Sequence, residues 1–134
     1  MQSAPHYDDV LAEVEAHLLD RAAQAEVAGV AHENIWLDPG IGFAKTLDHN
    51  LALTARIDRL CGAGYPVLYA ASRKRMIAEI DSAATKAEDR LGGTLALHLA
   101  AVAKGASMVR VHDVRAMKQA LLVQAALKTA EGQN

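Results

Sequence analysis

Arg110 and His112 stand two apart at the end of an apolar run, Ser107 to Val111, that reads as a β-strand. Alternate strand residues point to the same face, so a guanidinium and an imidazole lie side by side. That pair suits an anion. Arginine offers phosphate oxygens a bidentate fork, and histidine hydrogen-bonds them, most readily when protonated. The alternative is structural: a buried histidine bonded to backbone and an arginine paired with Asp113. A second polar break, Ser72-Arg73-Lys74, ends the apolar run Pro66 to Ala71. Lys74 there either adds positive charge and stacks with Phe43 on a flat ligand, or belongs to a solvated loop. A third stretch, Asp38-Pro39-Gly40-Ile41-Gly42-Phe43-Ala44-Lys45-Thr46, follows the short apolar run Ile35 to Leu37. Ionised Asp38 can accept a ligand's N–H groups in a low-dielectric pocket, or can fold an Asx turn. Gly40 and Gly42 permit backbone angles and close approaches that a side chain would block. The stretch lacks P-loop spacing. Lys45 is open to either a site or a surface reading.

Three apolar runs, each followed by a helical pattern, must position these groups. An opening helix from Pro5 to Ala28 carries a stripe of Val10, Leu11, Val14, Leu18, Ala22 and Ala25, with Gly29 as its stop. Its acidic residues read as a solvated face. A second helix is expected from Leu47 to Cys61, capped by Thr46 or Asp48 and buried through Leu51, Ile57 and Leu60. A short helix over Arg75 to Ile80 follows. A long one opens on a Thr85/Glu88 capping box and runs to Lys104, with Leu91, Leu95, His98 and Val102 on one side. Gly92-Gly93 within it implies close approach of another backbone. The last helix spans Val114 to Lys128, with a frayed tail beyond. Strands apolar along their whole length suit a parallel sheet covered on both faces. The fold class is therefore α/β: a helix, then three parallel strand-helix units with right-handed crossovers, forming one unit over residues 1–134. Parallel strands bring all three polar breaks to one edge, and that convergence outweighs any single motif.

Composition narrows the function classes. The chain has 134 residues, 51% hydrophobic, with formal net charge −2. That is enough for one packed domain, and no basic block invites nucleic acid. No apolar run is long enough for a membrane span, and the N-terminus has no signal-peptide pattern. The lone Cys61 reads as a small buried residue at a helix end and fits a reducing cytoplasm. The remaining histidines lack metal-ligand spacing.

Leu37 to Thr46 with His49-Asn50, then Ser72-Arg73-Lys74, then Arg110-Val111-His112-Asp113-Val114, with Gly93-Thr94 between, resemble the dihydropteroate synthase family in order and spacing. This is the pterin-binding, folate-pathway group inhibited by sulfonamides. The likeness runs from Met1 to about Leu127 and covers the C-terminal portion of a TIM (β/α)₈ barrel, strands 6–8 with flanking helices. Met1-Gln2 resembles a pair inside full-length members, so Met1 reads as a truncation point or a misplaced start.

The resemblance implies a transferase that joins p-aminobenzoate to dihydropterin methyl diphosphate and releases diphosphate. Asp38 would bind the pterin N–H groups, and Gly42 lies in the substrate-binding loop. Lys74 would bind the pterin and flank the aminobenzoate site. Ser72, helped by the Arg73–Lys74 segment, would contact the aminobenzoate carboxylate, and Phe43 would pack on its ring. Arg110 and His112 would hold the departing diphosphate. The catalytic group is then Lys74, Arg110 and His112. No redox cofactor is implied. The family's Mg²⁺ is served by an asparagine outside this chain, so no metal ligand is expected here. The implied partners are these small substrates and either further copies of the chain or a complementing N-terminal half. Two other readings stand beside this one: a fragment that only binds pterin or anions, and another pterin-binding barrel such as a methyltetrahydrofolate methyltransferase. Ala44 and Ala70 occupy positions where the family usually has glycine, and Trp36 is large for a barrel strand.

Overall fold

A computed structural model describes residues 6–132. Helix α1 spans Val10–Val27. It starts later than expected because the Asp9 carboxylate accepts the N–H of Ala12 at 3.1 Å and fixes the start there. Pro5, the expected first residue, lies outside the described residues. Gly29, at φ +104°, ends the helix in the left-handed conformation that glycine tolerates.

The expected second helix is two: α2, Leu47–Ala55, and α3, Ile57–Cys61, separated by a non-helical Arg56. No glycine or proline marks this break. The Thr46 hydroxyl accepts the N–H of His49 at 3.2 Å, and His49 Nδ1 accepts the N–H of Thr46 at 3.0 Å, which forms a reciprocal cap. Leu53, Ile57 and Leu60 form the buried side, whereas Leu51, expected there, is exposed.

Strand β1 (Leu68–Tyr69) and strand β2 (Met108–Val109) pair in parallel, with Leu68 opposite Met108 and Tyr69 opposite Val109. The Ile35–Leu37 segment, expected as a full strand, contributes a single parallel bridge from Leu37 to Val67. The parallel direction is as expected; β1 and the adjoining Val67 lie in the middle, and the ladders are short. Among the described residues each outer segment has one paired edge only. Trp36 is exposed.

Helix α4 is Arg75–Ile80, as expected. Helix α5 runs Leu91–Ala103 and does not open at Thr85. The Arg90 guanidinium donates to the carbonyls of Ala84, Thr85 and Arg73 at 2.9, 2.8 and 2.9 Å, which holds the preceding segment as a loop with a 3₁₀ turn. The buried stripe of α5 is Thr94, His98 and Ala101; Leu91, Leu95 and Val102 instead line a groove against the final helix. A Cβ at Gly93 would lie 2.6 Å from Ile77 Cγ2, so the close neighbour is a side chain of α4 rather than a backbone. Helix α6, Val114–Glu131, is longer than expected.

The core lies where α1, α2 and α5 meet the sheet, around Ile41, Ile57, Val67 and Tyr69. Tyr69 is fully buried, and its hydroxyl pairs with Thr54 Oγ1 at 2.7 Å. Burial pushes the Tyr69 phenol up to about 12. Cys61 is half-buried at the end of α3, and burial raises its thiol above the ordinary value.

Candidate functional site

The three polar breaks follow Leu37, β1 and β2 and share the C-terminal edge of the sheet. The first loop is shaped by its own polar groups. Asp38 Oδ1 accepts the Gly40 N–H at 2.8 Å, an Asx turn. Gly40 and Gly42 have φ of +72° and +86°, where a side chain would be strained. The buried Asn50 carboxamide oxygen accepts the Gly42 N–H at 2.9 Å, which anchors the loop to α2. Lys45 turns inward and donates to the carbonyls of Gly40 and Phe43 at 3.0 and 2.9 Å. Burial lowers its ammonium pKa, and the charge of Asp38 opposes that shift. Lys45 therefore braces the loop. Ala44 adopts φ +50°, the conformation that explains a preference for glycine there.

The second break sits across this loop. The Lys74 ammonium lies 4.3 Å above the Phe43 ring, and a Cβ at Gly42 would come within 3.1 Å of Lys74 Cδ. Gly42 thus makes room for Lys74, and Phe43 presents an exposed ring at the rim. Arg73 takes φ +59°. Its N–H donates to Thr94 Oγ1 at 3.0 Å, and its carbonyl accepts from Arg90 at 2.9 Å, so both sides of this unusual backbone are clamped.

The third break meets the second. Ser72 Oγ lies 2.8 Å from His112 Nδ1 and accepts the His112 backbone N–H at 3.1 Å. The Arg73 guanidinium grips Asp113 through two bonds, at 3.2 and 3.1 Å. That pair raises the Arg73 pKa and holds the Asp113 carboxyl below the usual range. The partner of Asp113 is Arg73 and not Arg110, whose guanidinium has no hydrogen-bond acceptor among the described residues.

Ala70, Ser72, Lys74, Arg110, Val111 and His112 line one open cleft of about 320 Å³. The structure therefore brings together four of the sequence-derived candidates and joins Gly42 and Phe43 to them through Lys74. Asp38 stands at the root of the Gly42–Phe43 loop, exposed. Sequence reasoning missed the supports: Arg90, Thr94, Asn50 and His98. His98 is fully buried, with Nδ1 2.6 Å from the Thr94 carbonyl, and its Nε2 accepts the Ala71 N–H at 3.2 Å. It pins the residue before Ser72. Thr94, within the Gly93-Thr94 pair, and Asn50, within the His49-Asn50 pair, carried a signal; His98 was legible only as part of a helical stripe, and Arg90 not at all.

The profile of the family described as pterin binding enzyme matches residues 1–112. The dihydropteroate synthase of Streptococcus pyogenes serotype M3 is 46% identical over 117 residues, which are 87% of this chain and 44% of that protein. A Xanthomonas albilineans dihydropteroate synthase solved in complex with 7,8-dihydropteroate superposes with a TM-score of 0.90 at 44% identity, covering 96% of this chain and 48% of that one. The Thermus thermophilus dihydropteroate synthase in complex with 4-aminobenzoate gives a TM-score of 0.87 at 48% identity, covering 92% and 49%. The chain thus spans under half the length of these relatives. It belongs to the pterin binding enzyme family, and its relatives there are dihydropteroate synthases.

Proposed function

We propose that this chain supplies the diphosphate-holding rim of a dihydropteroate synthase site, which joins p-aminobenzoate to dihydropterin methyl diphosphate. The observation that carries the proposal is the single cleft in which Lys74, Arg110 and His112 meet. In the reaction the bond between the pterin methylene carbon and the diphosphate oxygen breaks, and the electron pair leaves with the oxygen. The amine of p-aminobenzoate forms the new C–N bond and loses a proton. Charge therefore develops on the leaving diphosphate, and fixed cationic donors aimed at it are the main catalytic requirement.

The guanidinium of Arg110, with no acceptor of its own among the described residues, suits that charge, with His112 beside it. Lys74 stands between this anion site and the Phe43 ring, placed to meet the pterin and flank the aminobenzoate. Phe43 offers a flat apolar face to the aminobenzoate ring. Asp38 keeps one carboxylate oxygen outside its Asx turn for pterin N–H groups. Arg73, committed to Asp113, shapes the binding segment rather than reaching the ligand by its side chain. The buried Ala70 lies on the cleft floor, where its methyl narrows the pterin space.

The donor set does not suit Mg²⁺. The cleft carries Lys74, Arg110 and His112, and no cluster of three or more potential metal ligands occurs among the described residues.

The fold is read as the C-terminal portion of a (β/α)₈ barrel. Among the described residues two short strands and one bridge leave sheet edges unpaired, so the chain works with a complementing half or with further copies of itself. Turnover of the two substrates, with the chain alone and with an N-terminal half from a relative, tests the proposal. Activity is expected in the complemented sample and is expected to fall at least a hundredfold in Arg110→Ala. Unchanged turnover in that variant would overturn the diphosphate assignment.

A further inference from the structure

We propose that Ser72 is a positioning residue that fixes the neutral tautomer of His112, so that the imidazole presents Nε2–H to the cleft. The functional meaning of this rests on the diphosphate reading above.

Among the described residues Ser72 Oγ makes two hydrogen bonds, both with His112: it accepts the backbone N–H at 3.1 Å and lies 2.8 Å from the ring Nδ1. A hydroxyl has one proton and two acceptor lone pairs. If Nδ1 carried a proton and donated it to Oγ, both lone pairs would be filled and the hydroxyl proton would have no acceptor among the described residues. Ser72 is only 8% exposed, so that proton would be poorly met by water. If the hydroxyl instead donates to Nδ1, the hydroxyl proton, Nδ1 and the backbone N–H are all satisfied. The neutral ring then carries its proton on Nε2, which has no hydrogen-bond partner among the described residues and belongs to a side chain lining the cleft with Arg110.

Ser72 is well placed for this task because its neighbours are anchored. Its preceding residue is held by Ala71 N–H to His98 Nε2 at 3.2 Å, and its following residue by Arg73 N–H to Thr94 Oγ1 at 3.0 Å. The hydroxyl is thus a fixed post, and His112 is bound to it through both its backbone and its ring. A donor oriented before the diphosphate departs needs no reorganisation when charge develops. The same bookkeeping removes Ser72 from direct contact with a substrate carboxylate, since its single proton is already committed to Nδ1.

The test is nitrogen-15 NMR of the His112 ring in the full chain without ligand, at about pH 8, where an ordinary histidine is neutral. The expected result is Nδ1 in the unprotonated range and Nε2 in the protonated range. In Ser72→Ala, Nδ1 is expected to move toward the protonated range as the tautomers mix. In Ser72→Thr, which keeps the hydroxyl, it is expected to return. A proton on Nδ1 in the unsubstituted chain, or an unmoved Nδ1 signal in Ser72→Ala, would overturn the proposal. Titration with inorganic diphosphate is expected to show about fivefold weaker binding in Ser72→Ala and recovery in Ser72→Thr. An unsubstituted chain with the expected tautomer that binds no diphosphate would instead overturn the diphosphate reading and leave the Ser72 assignment standing.

Discussion

Arg73 and Asp113 are joined by two parallel hydrogen bonds, Nε to Oδ2 at 3.2 Å and Nη2 to Oδ1 at 3.1 Å, and so tie the end of β1 to the end of β2. Both side chains are about one-third exposed, which leaves the pair open to partial screening by salt. Arg73→Ala and Asp113→Ala are each expected to lower the thermal midpoint, and the double variant to fall by less than the two effects added. Thermal melts of the four proteins at low and high salt check this. Full additivity would show that the two residues act separately.

Two histidines should respond to pH with opposite sign. Burial lowers the pKa of His98 below 6.5. The unfolded chain then binds the proton first, so this contribution to stability is present above about pH 6.5 and declines as pH falls toward the folded value. His32 is exposed, with Nδ1 2.6 Å from Glu26 and Nε2 2.8 Å from the Gly64 carbonyl. These partners raise its pKa. Its contribution is complete below about pH 6.5 and is lost as pH rises through the folded value. Urea unfolding against pH, compared with His98→Gln and His32→Gln, is expected to show the acid-side loss flattened in the first and the alkaline-side loss flattened in the second.

Adjacent glycines at the start of α5 should behave differently. In Gly93→Ala the new methyl would meet Ile77 Cγ2 at 2.6 Å, and overpacking of this kind costs about 1–3 kcal/mol. Around Gly92 nothing lies within 4 Å, so Gly92→Ala is expected to stabilise by up to about 1 kcal/mol through helix propensity. Chemical denaturation separates the two outcomes.

Ala44 holds φ +50° without a glycine's freedom. Ala44→Gly is expected to relieve strain and stabilise the chain by about 1 kcal/mol, less the glycine's greater chain entropy when unfolded. The same denaturation measurement checks it.

The order of elements and the shared edge were legible because each depends on local pattern: apolar runs, helical spacing, and a glycine stop such as Gly29. The capping of α2 by Thr46 was legible for the same reason. The break at Arg56 was not, because neither glycine nor proline marks it. The late start of α5 was hidden by a tertiary contact, since Arg90 reaches back to the carbonyls of Ala84 and Thr85 and forward to that of Arg73. Nothing in the letters around Thr85 records that reach. The site followed the same division. Arg110 and His112 were expected on one face of a strand; β2 ends at Val109, before either of them, yet both line the cleft, together with Val111 between them. The commitment of Ser72 to His112 and of Arg73 to Asp113 links residues forty positions apart, and only the fold reveals it.

Isothermal titration of the full chain with inorganic diphosphate, beside Arg110→Ala, tests the anion cleft most directly. The unsubstituted chain is expected to bind, and the variant to bind at least tenfold more weakly, as follows from losing a charge-assisted arginine contact. Equal affinity in the two proteins, or no binding by the unsubstituted chain, would contradict the assignment.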